Sequence, residues 1–227
     1  MEYTGENNLK TMKLACNYNN WLIRMIAKEI RQKDNKVLDF GSGDGFFAEN
    51  IGKKTFKDIL CLEPSSNMQK YYGQKKIYGD LTEIENNSLD FIYSMNVLEH
   101  IENDKAIIDE FYRVLQKEGI VYLYLPACMY LWSSLDDLVG HYRRYNISML
   151  RKLFNSKQWN IENLRYADFL GFFVTILFKI VGNKKGNISP RALFIFDRFV
   201  FPMSLLMDKL TFGKLLGKNI LIKVTKK

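Results

Sequence analysis

The chain is poor in the residues that usually announce a metal centre or a secreted fold. Its two histidines, His100 and His141, have no ligand-spaced partner in sequence, so no metal site is expected. Three cysteines, Cys16, Cys61 and Cys128, form neither a C-x-x-C pair nor an even set, which argues against a disulfide framework and for a reducing compartment. The opening MEYTGENNLK is polar and lacks the apolar core of a signal peptide, so a cytoplasmic location is expected. No apolar run reaches the roughly 20 residues that cross a bilayer. Repeats and low-complexity tracts are absent as well. What is present, 47% hydrophobic and 26% charged residues in a chain of 227, suffices for one domain over 1–227 with its own core.

A third glycine is also missing, and its absence is informative. Val37 to Gly45 reads VLDFGSGDG, a buried strand running into a glycine-rich turn. A dinucleotide fingerprint, G-x-G-x-x-G, would require glycine where Phe46 stands, and it presents a helix N-terminus to a pyrophosphate. Here Asp39 precedes the turn and Asp44 lies inside it, so a pyrophosphate would be repelled. Glu63 lies at the tip of the next strand, ILCLEP, where a carboxylate can accept hydrogen bonds from both hydroxyls of a ribose. A cationic adenosine without phosphates fits this site, and S-adenosylmethionine (SAM) is such a molecule. Opposite charges about 4 Å apart are worth roughly 4 kcal/mol at an effective dielectric of 20, enough to disfavour an NAD-linked oxidoreductase.

From about Val37 to Ala127 the sequence resembles the class I SAM-dependent methyltransferases, in particular the broad type 11 group. Further on, Asp136, Asp137 and the run His141 to Tyr145 resemble a stretch of methyltransferases associated with glycan and glycolipid biosynthesis. The resemblance implies that Asp39, Gly41, Ser42 and Gly43 face the methionine part of SAM. It further implies that Glu63 holds the ribose beside Pro64, that Asp80 and Leu81 flank the adenine, and that Asn96 and Val97 lie under the sulfonium. The demethylated product would be S-adenosylhomocysteine.

Periodicity gives the rest of the fold. Trp21, Leu22, Met25, Ile26 and Ile30 mark a helix over about 17–31, within an N-terminal cap of residues 1–35. Strands are expected near 36–40, 58–62, 75–78, 89–95, 119–125, 158–167 and 219–226, with a helix over 105–116. The fold class is therefore α/β, a Rossmann-like doubly wound sheet of seven strands with the last antiparallel. Residues 168–217 form an insertion before that last strand. Its segments FLGFFVTILFKIVG and LFIFDRFVFPMSLLM are apolar nearly all round, and nine of the sixteen phenylalanines fall between Phe169 and Phe212. A buried lid over the substrate, an interface with a second copy in a homodimer, and peripheral contact of 169–212 with the inner face of a membrane are the three readings.

Charge divides the chain. Residues 1–140 carry 16 Lys and Arg against 21 Asp and Glu, whereas 141–227 carry 17 against 4. A basic block beside apolar helices favours an anionic lipid surface, and without an RNA-binding module it argues against nucleic acid. Between the halves lies WSSLDDLVGHYRRY, which follows strand five and so emerges at the cofactor end of the sheet. Trp132, His141, Tyr142, Arg143, Arg144 and Tyr145 are its candidate contacts to an anionic small-molecule, saccharide or lipid-linked acceptor. The arginines would grip phosphate or carboxylate, and His141 would act as general base. Alternatively Arg143 or Arg144 pairs with Asp136 or Asp137 and braces the segment. The expected reaction is transfer of the SAM methyl to an oxygen, less readily to nitrogen or carbon. The competing functions are a SAM-binding, membrane-associated scaffold without turnover and an RNA methyltransferase.

Overall fold

A computed structural model describes residues 5–73, 75, 77–181 and 189–227. Two helices open the chain, α1 (Glu6–Met12) and α2 (Cys16–Glu29). The sheet then begins with β1 (Val37–Phe40), α3 (Phe46–Thr55), β2 (Ile59–Leu62) and the single turn α4 (Ser66–Gln69). It continues with β3 (Leu89–Met95), α5 (Asp104–Val114) and β4 (Leu115–Pro126). Helices α6 (Ser134–Val139) and α7 (Ile147–Leu153) lead to β5 (Trp159–Ala167), and β6 (Asn219–Lys226) closes the sheet.

The strand order is β2-β1-β3-β4-β6-β5, with β1 to β4 parallel and β6 antiparallel to both neighbours. Described strands number six, not seven. Where a strand is expected over 75–78, residues 74 and 76 lie outside the described residues. What is described there is one parallel bridge between Leu62 and Tyr78, closed by Glu63 N–H to the Tyr78 carbonyl and Tyr78 N–H to the Cys61 carbonyl, both 2.9 Å. The expected helix over 105–116 ends at Val114 because the chain already joins the sheet at Leu115, paired with Leu89.

Alternation along the strands builds a core on each face of the sheet. Leu38, Phe40, Ile92, Val121, Leu123 and Ile222 point to one side, where they meet Phe111 of α5 and Trp159. Val37, Phe91, Tyr93, Tyr122, Tyr124 and Leu221 point to the other, against Leu22 and Ile26 of α2 and Phe201 of the insertion.

The insertion leaves the sheet after Ala167 and returns at Asn219, which faces Ala167 across the β5–β6 pair. It contains α8 (Phe169–Val181), then α9 (Pro190–Ile195), a five-residue π segment Phe196–Val200 and α10 (Phe201–Thr211). The π segment ends two residues before Pro202, which has no N–H to donate to the carbonyl four residues back, so the ladder widens there. Three acids fasten the block. Asp197 accepts from the N–H groups of Asn17 and Tyr18, at 3.0 and 2.8 Å, and so caps α2. Asp208 accepts from Asp168 and Phe169 N–H at the start of α8, at 2.8 and 2.9 Å, and Asp168 accepts from Gly171 N–H and Ser204 Oγ.

The outer face of the insertion is not covered. Phe173, Leu177 and Phe178 on α8, and Ile195, Phe199, Met203, Leu206 and Leu210 along α9, the π segment and α10, are all exposed. A lid with its apolar surface mostly buried is therefore corrected. No described helix is long and apolar enough to cross a membrane.

Candidate cofactor and acceptor site

The site forms at the carboxyl ends of the parallel strands. Gly41, Gly43 and Gly45 all adopt positive φ, at 74°, 57° and 79°. At Gly41 a side chain is excluded by space as well, since a Cβ would lie 2.5 Å from the Val97 methyls. The glycine turn is thereby packed against the loop that follows β3, and Asn96 in that loop, exposed and at φ 52°, donates its N–H to the Tyr124 carbonyl at 2.8 Å.

Glu63 joins the turn to β2. It is 5% exposed, and its carboxylate accepts from Gly43 N–H at 2.7 Å and Ser65 N–H at 2.9 Å. Ser42 is buried, and its hydroxyl meets the Tyr72 hydroxyl at 2.6 Å. Asp39, 3% exposed, has one carboxylate oxygen, Oδ2, buried without a hydrogen-bond partner. Burial raises its pKa to about 7 against the opposing effect of the nearby Tyr93 hydroxyl, and the neighbouring Glu63 charge adds to the rise. An orphaned carboxylate is costly and is relieved by a cation. An open cleft of about 500 Å³ lies beside it, lined in part by Asn19, Asp39, Gly41, Ser42, Gly43 and Phe47. The amino group of SAM offers the missing charge and donors.

Other expected contacts fall differently. Asp44 pairs with Lys13, so its charge is neutralised from within the chain and repels a phosphate less than the sequence implies. Pro64 is exposed beside the turn. Asp80 is exposed and caps a short 3₁₀ turn, Leu81–Glu83, by accepting from Thr82 N–H at 2.8 Å. Those hydrogen bonds with Thr82 hold its pKa below the ordinary value. The Leu81 side chain is in the core and its carbonyl accepts from Arg113, so it presents no side chain to an adenine. Unforeseen in the sequence is α1, which brings Leu9 and Met12 to the cleft wall.

The segment after β4 is a brace before it is a binding surface. Arg144, 5% exposed, makes a two-pronged pair with Asp136, Nε to Oδ1 at 2.8 Å and Nη2 to Oδ2 at 2.9 Å. Burial opposes the Asp136 charge, but His141 and Arg144 outweigh it and hold the carboxyl well below its usual range. Arg143 pairs with Asp104 at 2.8 Å and donates to the Glu102 carbonyl at 2.6 Å. Tyr145 is buried with its hydroxyl 3.0 Å from Asp104. Two arginines gripping an acceptor anion are therefore corrected: each guanidinium is engaged by a carboxylate of this chain. Tyr142 is exposed, and Trp132 donates from its indole to Asp137 at 2.9 Å.

His141 stands at the centre of this segment. Its Nδ1 is 2.7 Å from Asp136 Oδ1, and its Nε2 is 3.8 Å from Glu99 Oε1. The ring of His100 lies 4.6 Å away, centroid to centroid. Burial, and then the proximity of His141, lower the His100 pKa to about 4, whereas burial raises that of Glu99 to about 8. The two histidines, forty residues apart and unpaired by spacing, are neighbours.

With this geometry in hand, comparison with known proteins is direct. A family model described as a methyltransferase domain matches residues 38–123, the stretch from β1 through most of β4. Residues 38–123 thus match a methyltransferase domain, and that match supports a SAM-dependent methyltransferase. A malonyl-[acyl-carrier protein] O-methyltransferase of Calditerrivibrio nitroreducens is 26% identical over 164 residues, 71% of this chain and 59% of that one. The chain thus spans about three-fifths of that relative's length. Among solved structures, a SAM-dependent methyltransferase from Archaeoglobus fulgidus aligns at a TM-score of 0.58 and 16% identity, over 92% of this chain and 93% of that one. A phosphoethanolamine N-methyltransferase 2 of Haemonchus contortus, crystallised with SAM, aligns at 0.55 and 18%, over 90% of this chain and 51% of that one. At these identities the structural likeness is one of fold.

Proposed function

We propose that this chain transfers the methyl group of SAM to an oxygen of an acceptor that resides at an anionic membrane surface. The observation that carries the cofactor half is the orphaned, buried Asp39 carboxylate beside the glycine turn. Asp39 takes the SAM ammonium, the backbone of Gly41, Ser42 and Gly43 follows the methionine chain, Glu63 receives the ribose diol, and Asn96 and Val97 sit beneath the sulfonium. As the acceptor oxygen forms its bond to the methyl carbon, the carbon–sulfur bond breaks with its electron pair going to sulfur. A neutral thioether leaves. Holding the two reactants in line supplies the largest share of the rate, up to roughly 7–11 kcal/mol in well-oriented systems. A hydroxyl acceptor must also lose its proton, and that assistance belongs to the His141 end of the site, where a buried carboxylate fixes the imidazole.

The membrane half of the reading is supported by how the insertion sorts its charges. Its acids, Asp168, Asp197 and Asp208, are all buried, while Arg191, Arg198, Lys209 and Lys214 are exposed among the apolar residues of the outer face. A surface of that composition complements anionic lipid, at about 1 kcal/mol per basic residue near the headgroups, and repels a second copy of itself. The domain of 1–227 would then lie on the membrane through the insertion 168–217, with the cap 1–35 over the cofactor.

Calorimetric titration with SAM tests the first half, where Asp39→Asn and Glu63→Gln each weaken binding about tenfold or more. Flotation with vesicles of neutral lipid, with and without an anionic component, tests the second. Recovery with anionic vesicles is expected. A soluble dimer that ignores both vesicles would overturn the membrane reading and leave the SAM site standing. Labelled SAM incubated with lipid, saccharide and RNA fractions separates an enzyme from a scaffold.

A further inference from the structure

Glu99 follows β3 in a short 3₁₀ turn, Leu98–His100, is 0% exposed, and has neither carboxylate oxygen in a hydrogen bond. Among the described residues no lysine or arginine forms an ion pair with it; the basic side chain within 4 Å is the His141 imidazole. One ligand atom from each of Glu99, His100 and His141 lies within 4.8 Å of the other two. Behind each imidazole stands an acceptor. Asp136 holds His141 Nδ1 at 2.7 Å and is itself fixed by Arg144 and by Ser133 N–H at 2.9 Å. The carbonyls of Val139 and Gly140 hold the His100 ring. Outer acceptors of this kind set the tautomer of metal-bound histidines and raise their basicity.

We infer that Glu99, His100 and His141 form a site for a divalent transition-metal cation, which binds the acceptor oxygen. Two imidazoles and one carboxylate suit zinc, manganese or cobalt better than magnesium or calcium, and three protein ligands leave a position open. The geometry supports the assignment: Arg144 makes its two-pronged pair with Asp136 and reaches Glu99 only through space, so no arginine or lysine bonds the Glu99 carboxyl directly. This inference rests on the methyltransferase reading and says how its acceptor is activated. A hydroxyl bound at the open position becomes more acidic, as water does on zinc. In this arrangement His141 serves as a ligand in place of a base, so the acceptor proton leaves to bulk water, and the oxygen attacks the methyl carbon while sulfur keeps the bonding pair. This inference departs from the expectation of no metal site, which rested on sequence spacing alone.

Titration of metal-free wild-type protein with Co²⁺ alone, followed by visible absorbance, reads the site without reference to activity. One equivalent per chain is expected, with ligand-field bands. His141→Ala and the isosteric Glu99→Gln should each cut affinity at least tenfold, and Asp136→Asn about 10–100-fold. A SAM titration on the same samples checks folding, because none of these residues touches the proposed cofactor cradle. No Co²⁺ uptake by wild type, or equal uptake by wild type, His141→Ala and Glu99→Gln, would overturn the site. Failure here is separable from failure of the methyltransferase reading: SAM binding and turnover indifferent to a chelator would keep the enzyme and remove the cation.

Discussion

Buried carboxylates in the parallel half of the sheet and in the insertion are the same chemical group put to opposite uses. Asp197 and Asp208 have every oxygen occupied by a backbone N–H, and they fasten helices to the body. Asp39 and Glu99, at the carboxyl ends of the strands, are as deeply buried yet carry oxygens without partners. A satisfied buried acid is architecture, and Asp168, with Oδ1 bonded and Oδ2 free, stands between the two uses; at the carboxyl ends of the parallel strands an unsatisfied oxygen can meet a ligand. The sorting also explains the surface: turning its acids inward leaves the insertion apolar and basic outside.

Breaking a satisfied acid should cost the most. Arg144→Ala would strand Asp136 in the interior, and denaturant unfolding should show a loss of about 3–5 kcal/mol. Asp197→Ala removes two charge-assisted bonds that cap α2, and a loss of about 2–3 kcal/mol is expected by the same measurement.

Removing an unsatisfied acid should do the reverse. Glu99 has a folded pKa raised to about 8, so as pH climbs from its unfolded value the unfolded chain ionises first and stability falls, over the window from roughly pH 4.5 to 8. Without metal, Glu99→Gln should therefore be more stable than wild type at pH 8 and about equal to it at pH 4. A thermal melt at both values reads this, and an unchanged difference would remove the claim that the carboxylate is uncompensated. On the insertion, Phe199→Glu with Met203→Glu should abolish recovery with anionic vesicles, while Lys209→Glu should reduce it by roughly one order of magnitude or less. The smallest effect belongs to the exposed Glu49–Lys53 pair, whose loss should change stability by less than about 0.5 kcal/mol.

Much of this was legible in the sequence because it depends on local pattern. The two apolar runs at Val37 and Ile59, the glycines between them and the carboxylate at Glu63 specify a strand-turn-helix-strand unit whatever the rest of the chain does. Tyr78 was harder: among the described residues its run pairs with β2 through one bridge, and length of pairing is not written in a short apolar stretch. Helix α1 carries only polar and scattered apolar residues, so its place at the cleft comes from packing. Pairings across long separations were invisible for the same reason. Arg143 with Asp104, and His100 with His141, depend on how α5 and the loop after β4 converge, which no spacing encodes. The acids that cap the insertion read as interruptions of apolar segments until the fold supplies their N–H partners.

The central claim, that the unpartnered Asp39 receives the positive charge of SAM, is most directly tested by calorimetric titration of wild type and Asp39→Asn between about pH 5.5 and 7.5. With a free carboxyl titrating near 7, wild-type affinity should rise with pH across this range and binding should release a proton, whereas Asp39→Asn should bind more weakly and without that slope. Equal affinity and an equal pH profile in the two proteins would contradict the account.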